Sequence, residues 1–89
     1  HQFGSDAYWE CIIRTQTGPE NHQSGTCKMG PSGDATAVVD PQLRVHGVPN
    51  IRVADASIYP DVPNANPTAS IVMIAEKAAD MIGNTWQNL

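Results

Sequence analysis

The run Asn66-Pro67-Thr68-Ala69-Ser70-Ile71-Val72-Met73-Ile74-Ala75-Glu76-Lys77-Ala78-Ala79-Asp80-Met81-Ile82 carries the clearest helical signal in the chain. Ile71, Ile74, Ala75, Ala78 and Ile82 recur at i, i+3, i+4 and i+7 and so share one face, while Glu76, Lys77 and Asp80 fall on the other. The Asn66 side chain can cap such a helix, and Pro67 suits its first position because the missing N–H is not needed there. Gly83-Asn84 makes a suitable stop. The tail 85–89 shows no pattern.

Upstream of this helix, residues 59–67 hold three prolines and two asparagines, which predicts a loop with little freedom. Ile51-Arg52-Val53-Ala54 alternates as a half-buried strand does, with Ile51 and Val53 on one face and Arg52 and Ala54 on the other. Asp55-Ala56-Ser57 closes it with small, polar groups. Gly47-Val48-Pro49-Asn50 reads as a hairpin-like turn, and 37–40 and 43–46 read as short strands around Asp40-Pro41. Pro31-Ser32-Gly33-Asp34 is a further turn. Nearer the start, Ser5 can cap a helix whose Tyr8, Trp9, Ile12 and Ile13 follow helical spacing to about Arg14. Residues 15–23 then form a loop. The expected class is an α+β fragment, with short strands followed by a carboxyl-terminal helix.

At 89 residues the chain makes at most one small domain, with marginal stability of its own. It opens on His1 rather than Met, and reads as the carboxyl-terminal piece of a longer protein. The apolar share of 40% with sparse charge argues against disorder. A net charge of -4 with five basic residues, none clustered, excludes a nucleic-acid surface and an anionic membrane surface as natural partners. No run approaches the ~18 apolar residues of a membrane span. Cys11 and Cys27 are too few for a disulfide framework. They can pair or remain free thiols inside a larger fold, and the second is the simpler reading.

Chemistry concentrates in two segments about forty residues apart, Asn21-His22-Gln23-Ser24-Gly25-Thr26-Cys27-Lys28-Met29-Gly30 and Asn64-Ala65-Asn66-Pro67-Thr68. His22 can exchange a proton near neutral pH, and Gly25, Thr26 and Gly30 leave room beside it for a ligand. A loop histidine is by default a solvated or packing residue, so spacing alone does not make it catalytic. Asn66 has the same two readings, as a helix cap or as an amide aimed at a ligand. Backbone N–H groups at a helix start, that of Thr68 among them, favour an electron-rich ligand edge. His1 is terminal, and His46, on a strand beside a turn, is expected at the surface. His22, Cys27 and Cys11 lack the spacing of a zinc site. A Gly-x-Ser-x-Gly elbow and a phosphate loop are both absent from the sequence.

The ordered series His22-Gln23-Ser24-Gly25-Thr26-Cys27-Lys28-Met29-Gly30, Val38-Val39-Asp40-Pro41-Gln42-Leu43-Arg44-Val45-His46-Gly47, Ile51-Arg52-Val53-Ala54-Asp55-Ala56-Ser57, Asn66-Pro67-Thr68-Ala69 and Met73 to Ile82 resembles the carboxyl-terminal region of the glucose–methanol–choline (GMC) oxidoreductases. Ser5 to Cys11 and Pro19-Glu20-Asn21-His22 look most like the insect branch related to FAD glucose dehydrogenase. The resemblance implies a piece of a larger FAD-binding α/β fold with a substrate domain. Residues 1–50 would lie mainly on the substrate side, and 51–84 would close on the FAD domain. It implies His22 as catalytic base and Asn66 as its partner, with Asn21, His22, Asp55, Ala56, Asn66, Pro67 and Thr68 lining the cofactor, FAD. It also implies an alcohol or sugar substrate, an electron acceptor (oxygen or quinone), and the remainder of the protein's own chain as a partner. An extracellular setting would be consistent with it. The family's amino-terminal Gly-rich dinucleotide fingerprint is not in these residues. A redox-inactive lyase on the same framework, or a part that only packs against the rest, stays open as an alternative.

Overall fold

Residues 1–87 are described by a computed structural model of the chain. Helix α1, Asp6–Gln16, starts where Ser5 predicts, with Ser5 Oγ accepting from the Tyr8 N–H at 3.2 Å. It runs two residues past Arg14 and ends at Thr17. None of its residues is buried. Its aromatic groups cluster locally, with Phe3 and Tyr8, and Tyr8 and Trp9, at ring-centroid distances of 5.0 Å.

Strands β1, Arg44–Val45, and β2, Val48–Arg52, form an antiparallel hairpin with Arg44 opposite Arg52 and Val45 opposite Val48. The register slips between Arg44 and Val45. The turn is tighter than the sequence suggests. It sits at His46-Gly47, where Gly47 has φ +81°, so Val48, Pro49 and Asn50 belong to the strand and not to the turn. β2 stops at Arg52 rather than continuing to Ala54, and the two residues of one expected face part company, Ile51 exposed and Val53 half-buried against the core. Residues 37–40 are not a strand. Val39 alone makes single bridges, parallel to Met29 and antiparallel to Val45. The Asp40 carboxylate instead ties a turn, accepting from the Gln42 and Arg44 N–H groups at 2.8 and 3.0 Å and from Arg44 Nε at 2.8 Å. This turn holds buried Leu43 in the left-handed region, at φ +67°.

After β2, Ala56–Ile58 forms one turn of 3₁₀ helix. Helix α2, Thr68–Trp86, follows. Asn66 does not cap it: Pro67 occupies the cap position and no side chain bonds the first N–H groups. Gly83-Asn84 does not stop it either, because the helical bonding continues through Thr85 to Trp86. Of the unpatterned tail, Thr85 and Trp86 are thus helical, and residues 88–89 lie outside the described residues.

The core is small: Val39, Leu43, Ile58, Ile74 and Ala78, flanked by half-buried Met29, Val45, Val53, Tyr59 and Met81. Only part of the predicted α2 stripe is covered. Ile74 and Ala78 are buried, but Ala75 and Ile82 are exposed, as are Val72, Met73 and Trp86. The radius of gyration is 19.1 Å, against roughly 12 Å for a compact chain of this length. Principal extents of 69 × 27 × 14 Å describe a thin plate with α1 projecting. Such a shape leaves apolar surface that this chain alone does not bury. Among the described residues, no helix is long and apolar enough to cross a membrane.

The turn at 30–36 is tied by charge. Lys28 Nζ donates to Asp34 Oδ2 at 3.1 Å and to Thr36 Oγ1 at 2.9 Å, and Asp34 Oδ1 accepts from the Thr36 N–H and hydroxyl at 2.8 and 2.6 Å. The Thr36 hydroxyl, then its N–H, then Lys28 hold the Asp34 carboxyl down at about 2. A depressed folded-state pKa stabilises above the unfolded value of 3.8, and that contribution is lost as pH falls through about 2. Asp34→Asn in the full-length protein should therefore lower Tm above pH 4, with the gap to wild type closing between pH 4 and pH 2. A gap independent of pH would dissociate this network from the Asp34 charge.

Candidate active site

Three segments are linked by hydrogen bonds. Residues 25–29 run alongside the 3₁₀ turn, with the N–H groups of Gly25, Cys27 and Met29 donating to the carbonyls of Ala56, Ser57 and Ile58 at 3.2, 2.8 and 2.9 Å. On the other side, Lys28 O accepts from the N–H groups of Val38 and Val39 at 2.8 and 3.3 Å, and the Gly30 N–H donates to Val39 O at 2.9 Å. The two segments separated by about thirty residues in sequence, His22 to Gly30 and Asp55 to Ser57, thereby become neighbours through backbone bonding.

Gly25 is required twice over. Its φ is +83°, and a Cβ there would stand 3.2 Å from Tyr59 O. Asn21, directly before His22, also takes a left-handed conformation at φ +59°, which asparagine tolerates better than most residues. His22 is half-buried, and among the described residues its ring has no hydrogen-bond partner. Next to it, Ser24 Oγ is buried without a partner. Asp55 has a task the sequence did not announce: its Oδ1 accepts from the Ser57 N–H at 2.8 Å and from the Ser57 hydroxyl, capping the 3₁₀ turn. Those bonds, the hydroxyl first, lower its pKa against a small opposing effect of burial.

The third segment is the start of α2. Ser70 Oγ donates to Pro67 O at 3.0 Å, and the Tyr59 phenol bonds Ser70 Oγ and lies 3.4 Å from Pro67 O. Tyr59 thus joins the 3₁₀ turn to the first turn of the helix. Nothing in the sequence reading singled it out, and its place after a capped turn and before a proline-rich loop was the available signal. Asn66 is exposed and, among the described residues, its amide bonds nothing. His22 and Asn66 are not bonded to each other. Their segments are linked, and both side chains are left unengaged.

His46 is half-buried rather than on the surface, with Nε2 3.0 Å from Gly30 O and its N–H donating to Val38 O at 3.0 Å. Cys11 and Cys27 are free thiols, exposed and half-buried respectively. Among the described residues, no cluster of His, Cys, Asp and Glu could hold a metal ion.

Among the described residues, these three segments hold an unengaged imidazole, an unengaged amide, a buried hydroxyl without a partner and a helix start with no side-chain cap. That donor set fits an electron-rich group lying across it. A sequence comparison gives the same region a lineage: the family model described as GMC oxidoreductase matches residues 1–75. The chain belongs to the GMC oxidoreductase family. It is 59% identical over 86 residues to the glucose dehydrogenase (FAD, quinone) of Drosophila melanogaster, covering 97% of this chain and 14% of that protein. It is 53% identical over 78 residues to the mitochondrial choline dehydrogenase of Homo sapiens, covering 88% of this chain and 13% of that one. The 5-(hydroxymethyl)furfural oxidase of Methylovorus sp. (strain MP688) is 49% identical over 77 residues, or 86% of this chain and 14% of the relative. The chain thus spans about one seventh of the length of the curated relatives it matches.

Proposed function

We propose that these residues form the carboxyl-terminal part of an FAD-dependent enzyme that oxidises an alcohol or sugar hydroxyl to a carbonyl. The observation that carries this reading is the pairing of the His22 segment with the 3₁₀ turn, beside a helix start whose neighbouring Asn66 amide is unengaged. The names of the relatives, a glucose dehydrogenase that uses FAD and a quinone and a choline dehydrogenase, support the substrate class and a quinone acceptor, and the oxidase among them supports oxygen as the alternative.

His22 accepts the proton of the substrate hydroxyl as general base, which contributes roughly 10²–10⁴-fold. Asn66 donates its amide to the same oxygen and fixes the orientation of the carbinol carbon. FAD, when bound, supplies flavin N5 as the acceptor of the hydride. Asn21, Asp55, Ala56, Pro67 and Thr68 line the cofactor. The uncapped N–H groups at the start of α2 would suit an electron-rich edge of that cofactor, and the small side chain of Ala56 would permit close approach. Within the whole protein, 1–50 lies mainly on the substrate side and 51–84 closes on the FAD domain. The exposed apolar residues of α2 are then covered by the remainder of the chain.

The direct test is anaerobic addition of glucose, and separately of choline, to the full-length flavoprotein. Bleaching of the flavin band is expected with at least one. A flavin that stays oxidised with both, and with a panel of simple alcohols, would favour the redox-inactive alternative. The 89 residues expressed alone are expected to emerge colourless from dialysis after incubation with FAD, because the plate supplies only one side of the site. A stoichiometric yellow complex would contradict that.

A further inference from the structure

We propose that Tyr59 is a positioning residue that sets Asn66 relative to His22, through a hydrogen-bond relay from its phenol by way of Ser70 to the carbonyl of Pro67. The inference rests on the functional reading above and goes beyond it by naming the groups that fix the spacing of the two reacting side chains.

Tyr59 has two ends, and each engages a different half of the site. Its backbone lies on the His22 side. The Tyr59 N–H donates to Ala56 O at 3.3 Å, closing the turn that pairs with residues 25–29, and its carbonyl oxygen is the atom that a Cβ at Gly25 would crowd, at 3.2 Å. Its phenol lies on the Asn66 side, half-buried against the first turn of α2.

The Tyr59 phenol and Ser70 Oγ are hydrogen-bonded to each other, and both reach Pro67 O, Ser70 Oγ at 3.0 Å and the phenol at 3.4 Å. Pro67 O also accepts from the Ile71 N–H at 2.9 Å. The peptide that follows Asn66-Pro67 is thereby held from the helix and from the 3₁₀ turn at once. Proline fixes φ, here at -80°, so fixing its carbonyl direction leaves the Asn66-Pro67 unit little freedom to rotate. Asn66 itself makes no bond that could hold it. Its placement is therefore inherited from this relay.

The test is a double-mutant cycle in the full-length flavoprotein, reading the anaerobic flavin reduction rate with glucose, or with choline if only choline reduces it. Tyr59→Phe keeps the ring and removes only the hydroxyl. It should slow reduction on the order of tenfold, as a small misplacement of a reacting group does, at unchanged flavin content and unchanged apparent pKa of the pH–rate profile. In an Asn66→Ala background the same change should have almost no further effect, because residues acting through one another are non-additive. Ser70→Ala should reproduce the Tyr59→Phe loss, and Ser70→Thr should restore most of the rate. Full additivity of Tyr59→Phe with Asn66→Ala overturns the proposal, as does a wild-type rate for Tyr59→Phe while Asn66→Ala is slow. A wild-type rate for Asn66→Ala overturns both this proposal and the role given to Asn66, which separates the two failures.

Discussion

Replacing His22 by alanine in the full-length chain is expected to lower turnover by roughly 10²–10⁴-fold while leaving flavin content nearly unchanged. The half-buried ring makes no hydrogen bond among the described residues, so its removal breaks none of the contacts that hold the segment. Those contacts are backbone bonds from Gly25, Cys27 and Met29 to the 3₁₀ turn, and they do not depend on the side chain at 22. A loss of rate without loss of flavin or Tm is therefore the signature of a missing base. His22→Gln, which keeps a polar group but cannot take the proton, should be impaired almost as severely. Near-normal turnover in either variant would remove His22 from the role of base.

Asn66→Asp should cost about 10²-fold or more in turnover, by analogy with losing one donor to a developing oxyanion. Asp removes the amide donor and sets a negative charge beside an oxygen that is itself becoming negative. The structure sharpens the contrast with a purely structural role. Asn66 caps nothing, so there is no capping bond for Asp to keep or lose, and Tm should barely move. Asn66→His should be milder, since an imidazole N–H can still donate to that oxygen. Equal rates for Asn66→Asp and wild type, on the same alcohol at equal flavin occupancy, would leave Asn66 without a part in the reaction.

The local codes in the sequence were legible where the chain itself satisfies them. Ser5 is an example: a hydroxyl before a short amphipathic run has one good use, and α1 begins there. The family membership was legible for the same reason, as an ordered series of residues along the chain. Misreadings occurred where a nearby group intervened. Asn66 was read as a cap because Asn-Pro suits a helix start, but Pro67 took the cap position and the Tyr59–Ser70 relay secured the turn instead. Gly47 turned the hairpin in less space than expected, which pulled Val48 to Asn50 into β2. Gly83 did not end α2, since a glycine weakens a helix by only about 1 kcal/mol and the bonds on either side were available. Ile51, Ala75 and Ile82 have the periodicity of buried residues and are exposed, because the surface they match is not in these 89 residues. Tyr59 could not be found by motif at all, since its importance lies in joining two segments that only the fold makes adjacent.

Three of the five core residues adjoin the segments of the candidate site: Val39 bridges to Met29 in the first, Ile58 ends the 3₁₀ turn of the second and Ile74 lies in the helix that begins at the third. Variation that never touches a reacting group therefore has a route to it. Trimming Ile58 to valine costs about 0.5–1.5 kcal/mol, too little to keep a large enzyme from folding, yet the slack opens where two reacting segments meet. On the function proposed above, preference among alcohols can then drift through the interior while every residue placed at the substrate stays the same. A survey of related genes restricted to the lining of the site would credit the wrong positions for that drift.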